Sequence, residues 1–174
     1  IEKVRKLLQL LMIEDSEDDS QLILHEIKRS GYEVEFERVE TAGKLLSALM
    51  RQSWDIVLCD YSLPKFSAPQ AISLIKSSGY DIPLIIISGT IGEETAVDSL
   101  KAGAQDFINK GNLARLVPAI EREIQDAKIR QEQRQREREL EVIASISMAL
   151  RKAHTLETPG AHTSPSRDTL VTAC

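Results

Sequence analysis

Apolar residues gather in three short runs, residues 7–13, 56–59 and 84–87, each too brief for a core helix. Polar side chains close them: Glu14, Asp60 and Ser88. An apolar run of this length reads as a strand buried on both faces. A different rhythm holds further on, where Tyr32, Val34 and Phe36 alternate with Glu33, Glu35 and Glu37. That period of two marks a half-exposed strand at or near a sheet edge. Residues 106–109 make a short fifth strand ending at Lys110.

Helical spacing fills the intervals. A first helix is expected over about residues 19–30, acidic at its start and stopped by Gly31. Thr41 caps a second that runs through about Met50. A third extends from about Ser67 to Gly79, with Pro69 in its first turn, where a missing N–H costs nothing. A fourth runs from about Glu93 to Gly103, and Asn112 is expected to cap the last, beginning at Leu113. Five strands alternating with five helices, the strands mostly apolar throughout, predict an α/β fold on a parallel sheet covered on both faces.

In such sheets the ligand site lies beyond the carboxyl ends of the strands. Glu14 and Asp15 follow the first strand, Asp60 ends the third, Ser88 ends the fourth and Lys110 follows the fifth. All are expected on one rim. Three carboxylates brought together repel, which raises their pKa values or recruits a cation. Oxygen ligands with room for water suit Mg²⁺. A lysine and a hydroxyl complete an electrostatic clamp on a transferring phosphoryl group, and a carboxylate can itself form an acyl phosphate. Taken singly, Glu14 or Asp15 reads as a helix cap and Lys110 as a solvated charge. Their joint placement favours the phospho-aspartate site.

The strings LMIEDSEDD, IVLCDYSLP, LIIISGT and DFINK, in this order and spacing, resemble the four signatures of response-regulator receiver domains over about residues 7–126. The resemblance implies a doubly wound, flavodoxin-like sheet of strand order 2-1-3-4-5. It implies Asp60 as phosphoacceptor, with Glu14, Asp15, Asp60 and the Ser62 backbone carbonyl holding Mg²⁺. Ser88 would bind a phosphoryl oxygen, Lys110 would pair with the phosphoryl group, and Phe107 would be the aromatic that moves on activation. Thr90 is a competing hydroxyl two residues after Ser88. The sequence departs from the family pattern where Ala68 replaces the usual Gly, Gly111 the usual Pro, Gly89 the common Ala and Phe107 the commoner Tyr. The first two alter backbone freedom and remove no reactive group, Gly89 loosens its loop, and Phe107 lacks the hydroxyl of Tyr.

Other side chains read plainly. His25-Glu26 faintly resembles a histidine-kinase phosphodonor dipeptide, but no nucleotide-binding glycine-rich segment accompanies it, so an exposed helix histidine is expected. Trp54 is expected to pack at the entrance of the third strand, and His154 and His162 suggest no metal site.

Charge narrows the partners. Residues 1–120 hold 13 Lys/Arg against 18 Asp/Glu, and residues 121–174 hold nine of each, so neither part carries the positive excess that phosphate backbones require. No direct nucleic-acid contact by this chain is expected. Cys59 and Cys174 cannot staple a domain of this size, and Cys59 in its apolar run suits a reducing cytoplasm. The basic and apolar opening runs into the acidic cluster at 14–19 without a cleavage site, and no run approaches bilayer length. A cytoplasmic protein off the membrane is the expectation.

The last helix overruns the domain. Leu113, Leu116, Val117, Ile120, Ile124 and Ala127 keep a helical period, residues 131–139 are polar all round, and Leu140, Ile143, Ser147 and Leu150 restore a 3-4-3 spacing. The expected division is a receiver at 1–126, an extended helix or coiled-coil linker at 127–156 that would favour a homodimer, and a disordered tail at 157–174. Residues 139–157 also resemble the leading helix of a GAF-type sensor domain. The receiver resemblance implies a phosphorylation-switched module that is not an enzyme acting on external substrates. Its phosphodonor would be a histidine kinase or a histidine phosphotransfer protein. The alternative is a receiver-like interaction module that takes no phosphate.

Overall fold

The computed structural model describes residues 6–89 and 92–156. Strands β1 (Lys6–Ile13), β2 (Tyr32–Val39), β3 (Ile56–Asp60), β4 (Leu84–Ser88) and β5 (Asp106–Asn109) form one sheet in the order β2-β1-β3-β4-β5. Every pairing is parallel. Between the strands lie α1 (Glu17–Arg29), α2 (Ala42–Arg51), α3 (Ala68–Ser77) and α4 (Glu93–Ala102), and after β5 come a 3-10 turn (Lys110–Arg115) and α5 (Leu116–Leu156).

Alternate strand residues serve opposite faces. Leu11, Ile13, Val57, Cys59 and Ile86 pack with Leu45 and Leu49 of α2 and Ile72 and Ile75 of α3. Leu10, Met12, Leu58, Ile85 and Ile87 pack with Ile23, Leu24 and Ile27 of α1 and Leu116 and Ile120 of α5. Each fully buried aliphatic side chain contributes about 1.5–3 kcal/mol, so β1, β3 and β4 anchor both layers. Strand β2 lies at the edge and β5 at the other, as the alternation in β2 and the brevity of β5 suggest.

Local chemistry sets the helix ends. Ser16 caps α1, its Oγ accepting from the Asp19 N–H, so the helix starts two residues before the expected 19. Thr41 caps α2, and Ser67 with Gln70 forms a capping box on α3 ahead of Pro69. Gly103 closes α4 at φ 117, a conformation that favours glycine. Trp54 is buried at the entrance of β3, its indole N–H donating to the Ala48 carbonyl at 3.0 Å.

The expected cap at Asn112 is replaced by one at Asn109. The Asn109 Oδ1 accepts from the Gly111 N–H at 2.7 Å, which winds the chain into the 3-10 turn directly after β5. Asn112 sits inside that turn in a non-helical conformation, and the α-helix proper begins at Leu116, not Leu113.

The chain divides into two compact units, Ile1–Glu132 and Gln133–Cys174. In the first, α5 buries Leu116, Ala119, Ile120, Glu123 and Ala127, and Arg130 pairs with Asp81 in the α3–β4 loop through Nε at 3.3 Å and Nη2 at 3.1 Å. In the second, Leu140, Val142, Ile143, Ile146, Met148 and Leu150 are exposed. Among the described residues no helix is long and apolar enough to cross a membrane. The expected tail at 157–174, His162 and Thr90 lie outside the described residues.

Candidate functional site

The β1–α1 loop brings Glu14 and Asp15 to the carboxyl edge of the sheet, beside the last residue of β3. Carboxylate oxygens of Glu14, Asp15 and Asp60 lie within 4.8 Å of one another. Glu14 and Asp60 are buried and Asp15 is exposed, so the cluster opens to solvent on one side. An all-oxygen donor set with an open side fits a hard cation that keeps some of its water.

Lys110 reaches back from the end of β5. Its Nζ donates to Glu14 Oε2 at 2.9 Å, to Asp60 Oδ2 at 3.2 Å and to Asp19 Oδ2 at 2.5 Å. Backbone amides hold the remaining oxygens, with the Ser16 N–H 2.9 Å from Glu14 Oε1 and the Ser62 N–H 3.2 Å from Asp60 Oδ1. Ser62 therefore meets Asp60 through its amide. Ser88 is fully buried at the end of β4, one residue past the Ile87 that pairs with Asp60. Phe107 of β5 is half-buried against the core face lined by α2 and α3. His25 and His154 are exposed.

Burial pushes the Glu14 carboxyl up, and the Asp60 charge adds to it, against the lowering effect of the Ser16 amide and Lys110. Burial works to lower the Lys110 ammonium, yet the Asp19 and Glu14 hydrogen bonds with the Asp60 and Glu14 charges outweigh it and hold the pKa above the usual lysine range. The site is thus a negative cluster with one internal cation, an arrangement that can receive a divalent ion and an anionic phosphoryl group.

Two participants were not singled out from sequence. Asp19 binds Lys110 from the first turn of α1, and its only signal was membership of the acidic run after the first strand. Arg38 of β2 donates from Nη1 to the backbone carbonyls of Glu14 and Asp15, both at 3.2 Å. Its signal was phase, because position 38 continues the apolar series Tyr32, Val34, Phe36 with a charge.

Comparison with known proteins fits this geometry. The family described as response regulator receiver domain matches residues 10–121. The nitrogen assimilation regulatory protein NtrX of Azorhizobium caulinodans is 30% identical over 128 residues, covering 72% of this chain and 28% of that protein. The phosphate regulon transcriptional regulatory protein PhoB of Klebsiella pneumoniae is 28% identical over 131 residues, covering 71% and 56%. The crystal structure of the NtrX receiver domain from Brucella abortus superposes with a TM-score of 0.60 at 27% identity, covering 67% of this chain and 98% of that one.

The chain thus spans between about a quarter and just over half of the two curated relatives. PhoB is a transcriptional regulator by name, which runs against the expectation of no nucleic-acid partner. That expectation rested on the charge of these 174 residues and does not extend to a longer regulator. The matched stretch contains the second half of β1, all of β2 to β5 and the acidic rim, and makes up well over half of the sequence: the chain belongs to the response regulator receiver domain family.

Proposed function

We propose that this receiver takes a phosphoryl group on Asp60 and is switched by it. The observation that carries the reading is the convergence of Glu14, Asp15 and Asp60 within 4.8 Å, with the Lys110 ammonium on two of the three. Asp60 is the acceptor because it alone ends the central strand between the other groups. One of its oxygens attacks phosphorus and forms an O–P bond. The bond to the donor breaks, and the donor's imidazole or carboxylate leaves with the electron pair. Glu14, Asp15, Asp60 and the Ser62 carbonyl would hold Mg²⁺, which would neutralise charge on the transferring group. Lys110 pairs with the phosphoryl oxygens and the Ser88 hydroxyl donates to one of them. The donor is a histidine kinase or a histidine phosphotransfer protein, and slow hydrolysis of the acyl phosphate is the only other chemistry.

Output follows from the same contacts. Drawing Ser88 inward frees space beside β4 for Phe107 and reshapes the surface made by α4, β5 and α5. Residues 1–126 act as the receiver and 127–156 as a helical linker that pairs with a second copy. Residues 139–157 are read, on their resemblance, as the leading helix of a GAF-type domain. The alternative module without phosphorylation finds no support, since every acid, hydroxyl and lysine position is filled. Incubation with Mg²⁺ and acetyl phosphate, followed by intact-mass measurement, tests the proposal: the wild-type chain gains one phosphoryl group and Asp60→Asn gains none. A retained adduct on the variant sinks the assignment.

A further inference from the structure

We propose that Arg38 is a positioning residue for the metal-binding loop, an inference that rests on the phospho-acceptor reading above. Strand β2 runs beside β1 through the pair Val39 and Ile13, and the Glu14 N–H extends the ladder one step by donating to the Val39 carbonyl at 3.2 Å. There the chain leaves the sheet. The next two carbonyls, of Glu14 and Asp15, both accept from Arg38 Nη1 at 3.2 Å. The backbone of both acidic residues is thus fixed from the side of β2, which sets where their carboxylates stand relative to Asp60.

The arginine is itself held. Nη1 also donates to Glu40 Oε1 at 3.0 Å, and the other Glu40 oxygen accepts from Lys65 at 3.2 Å. Lys65 lies in the loop between Asp60 and α3. A chain of polar contacts therefore joins the loop of Glu14 and Asp15 to the loop after Asp60 without passing through the acidic centre. Arg38 and Glu40 are each about one-quarter exposed, at 27% and 26%, whereas Lys65 is open at 58%, so the Arg38–Glu40 link is the firm one and the Lys65 link the weak one. Because Glu40 pairs with the guanidinium, Arg38 orients the ligand loop with its charge partly offset beside the metal site. Residues behind metal ligands change affinity by roughly 10–100-fold when removed, which is the scale expected here.

The full chain is titrated with Mg²⁺ by calorimetry, and phosphoryl uptake from acetyl phosphate is followed by intact mass at each Mg²⁺ concentration. The variants are Arg38→Gln, the charge-neutral pair Arg38→Gln/Glu40→Gln, and Arg38→Lys. Positioning raises the half-saturating Mg²⁺ roughly tenfold in the first two, leaves the rate at saturating Mg²⁺ within about twofold, and is partly rescued by Arg38→Lys. A charge effect alone would tighten Mg²⁺ binding in Arg38→Gln and leave the pair at the wild-type value, and that result overturns the proposal, as does no change in either. Should Arg38→Gln fail to fold, unchanged half-saturation in Arg38→Lys overturns it equally. Asp60→Asn separates the two readings: phosphorylation persisting there ends the acceptor assignment, while calorimetry of the Arg38 variants, which keep Asp60, still reports on Arg38.

Discussion

Lys110 Nζ stands 2.5 Å from Asp19 Oδ2, a closer approach than its 3.2 Å to Asp60. The ammonium that would clamp a phosphoryl group is thus shared with a carboxylate from the first turn of α1. Asp19 is the more exposed partner, so its hold on the lysine is modest. Exposed pairs are worth about 0.2–1 kcal/mol, and Asp19→Asn should speed phosphoryl uptake roughly 1.5- to 5-fold by releasing the lysine. A slower uptake at saturating Mg²⁺ would show that Asp19 helps to place the lysine and does not compete for it.

Removing the lysine is a harsher test. Lys110→Met leaves the buried Glu14 and Asp60 facing each other without their cation. Breaking a buried pair in this way costs about 3–5 kcal/mol, and the partial solvent access of Lys110 points to the lower end. Mg²⁺ should then stabilise the variant more than the wild type, because the unpaired carboxylates bind it more tightly and a ligand that binds only the folded state adds stability with the logarithm of its affinity. Urea melts with and without Mg²⁺ measure both effects, and equal stability of variant and wild type contradicts the electrostatic account.

Gly111 offers a test in which the family's commoner residue is the worse one. Its N–H makes the 2.7 Å bond to Asn109 Oδ1 that starts the 3-10 turn. Gly111→Pro deletes that donor, and loss of a cap costs about 0.5–2 kcal/mol. Thermal unfolding should show a lower midpoint for Gly111→Pro; an unchanged midpoint means that the turn is held by other contacts.

Such details mark where sequence reading stops. A parallel sheet covered on both faces was legible because short apolar runs between helices admit few arrangements, the strand order came with the family resemblance, and the rim followed from the ends of those runs. Asn112 is a plausible cap by residue type, but Asn109, the last residue of β5, caps the turn first. For Arg38 the sequence shows only a charge in the apolar phase of β2; its partners are backbone carbonyls, which the sequence does not mark. Asp19 was hidden among neighbouring acids, and only the folded position of Lys110 selects it.

Alkaline conditions probe the other side of the sheet. Burial, reinforced by the Tyr32 hydroxyl donating to Glu121 Oε1 at 2.7 Å, pushes the Tyr32 phenol from 10.0 up to about 12. The folded state keeps this proton longer than the unfolded state, so the contribution is intact below pH 10 and is lost as pH rises from 10 toward 12. At 1.36 kcal/mol per pH unit the rise from 10.0 to about 12 bounds the loss at about 3 kcal/mol, and solvent access to the hydroxyl reduces it. Tyr32→Phe should flatten the slope there relative to wild type, and parallel pH–stability curves would assign the loss to other groups.

Self-association tests the linker reading. Exposed Leu140, Ile143, Ile146 and Leu150 give the Gln133–Cys174 unit an apolar face to pair with a second copy. Sedimentation should show the full chain associating at high concentration and a chain ending at Glu132 remaining monomeric. Two monomers would leave the helix as a tether.

The edge position of β2 bears on how the molecule behaves in a crowded solution. Among the described residues nothing pairs with the outer side of this eight-residue strand, and such an edge is a template onto which another chain can lay its own backbone, the first step toward fibres. Here Glu33 and Glu35 are exposed, Glu35 accepting from the Gln9 side chain of β1, so an incoming copy would bring further carboxylates against these two. The glutamates that first betrayed the strand by their rhythm also act as its fence, and replacing both with threonine would keep the strand while leaving the protein prone to stack.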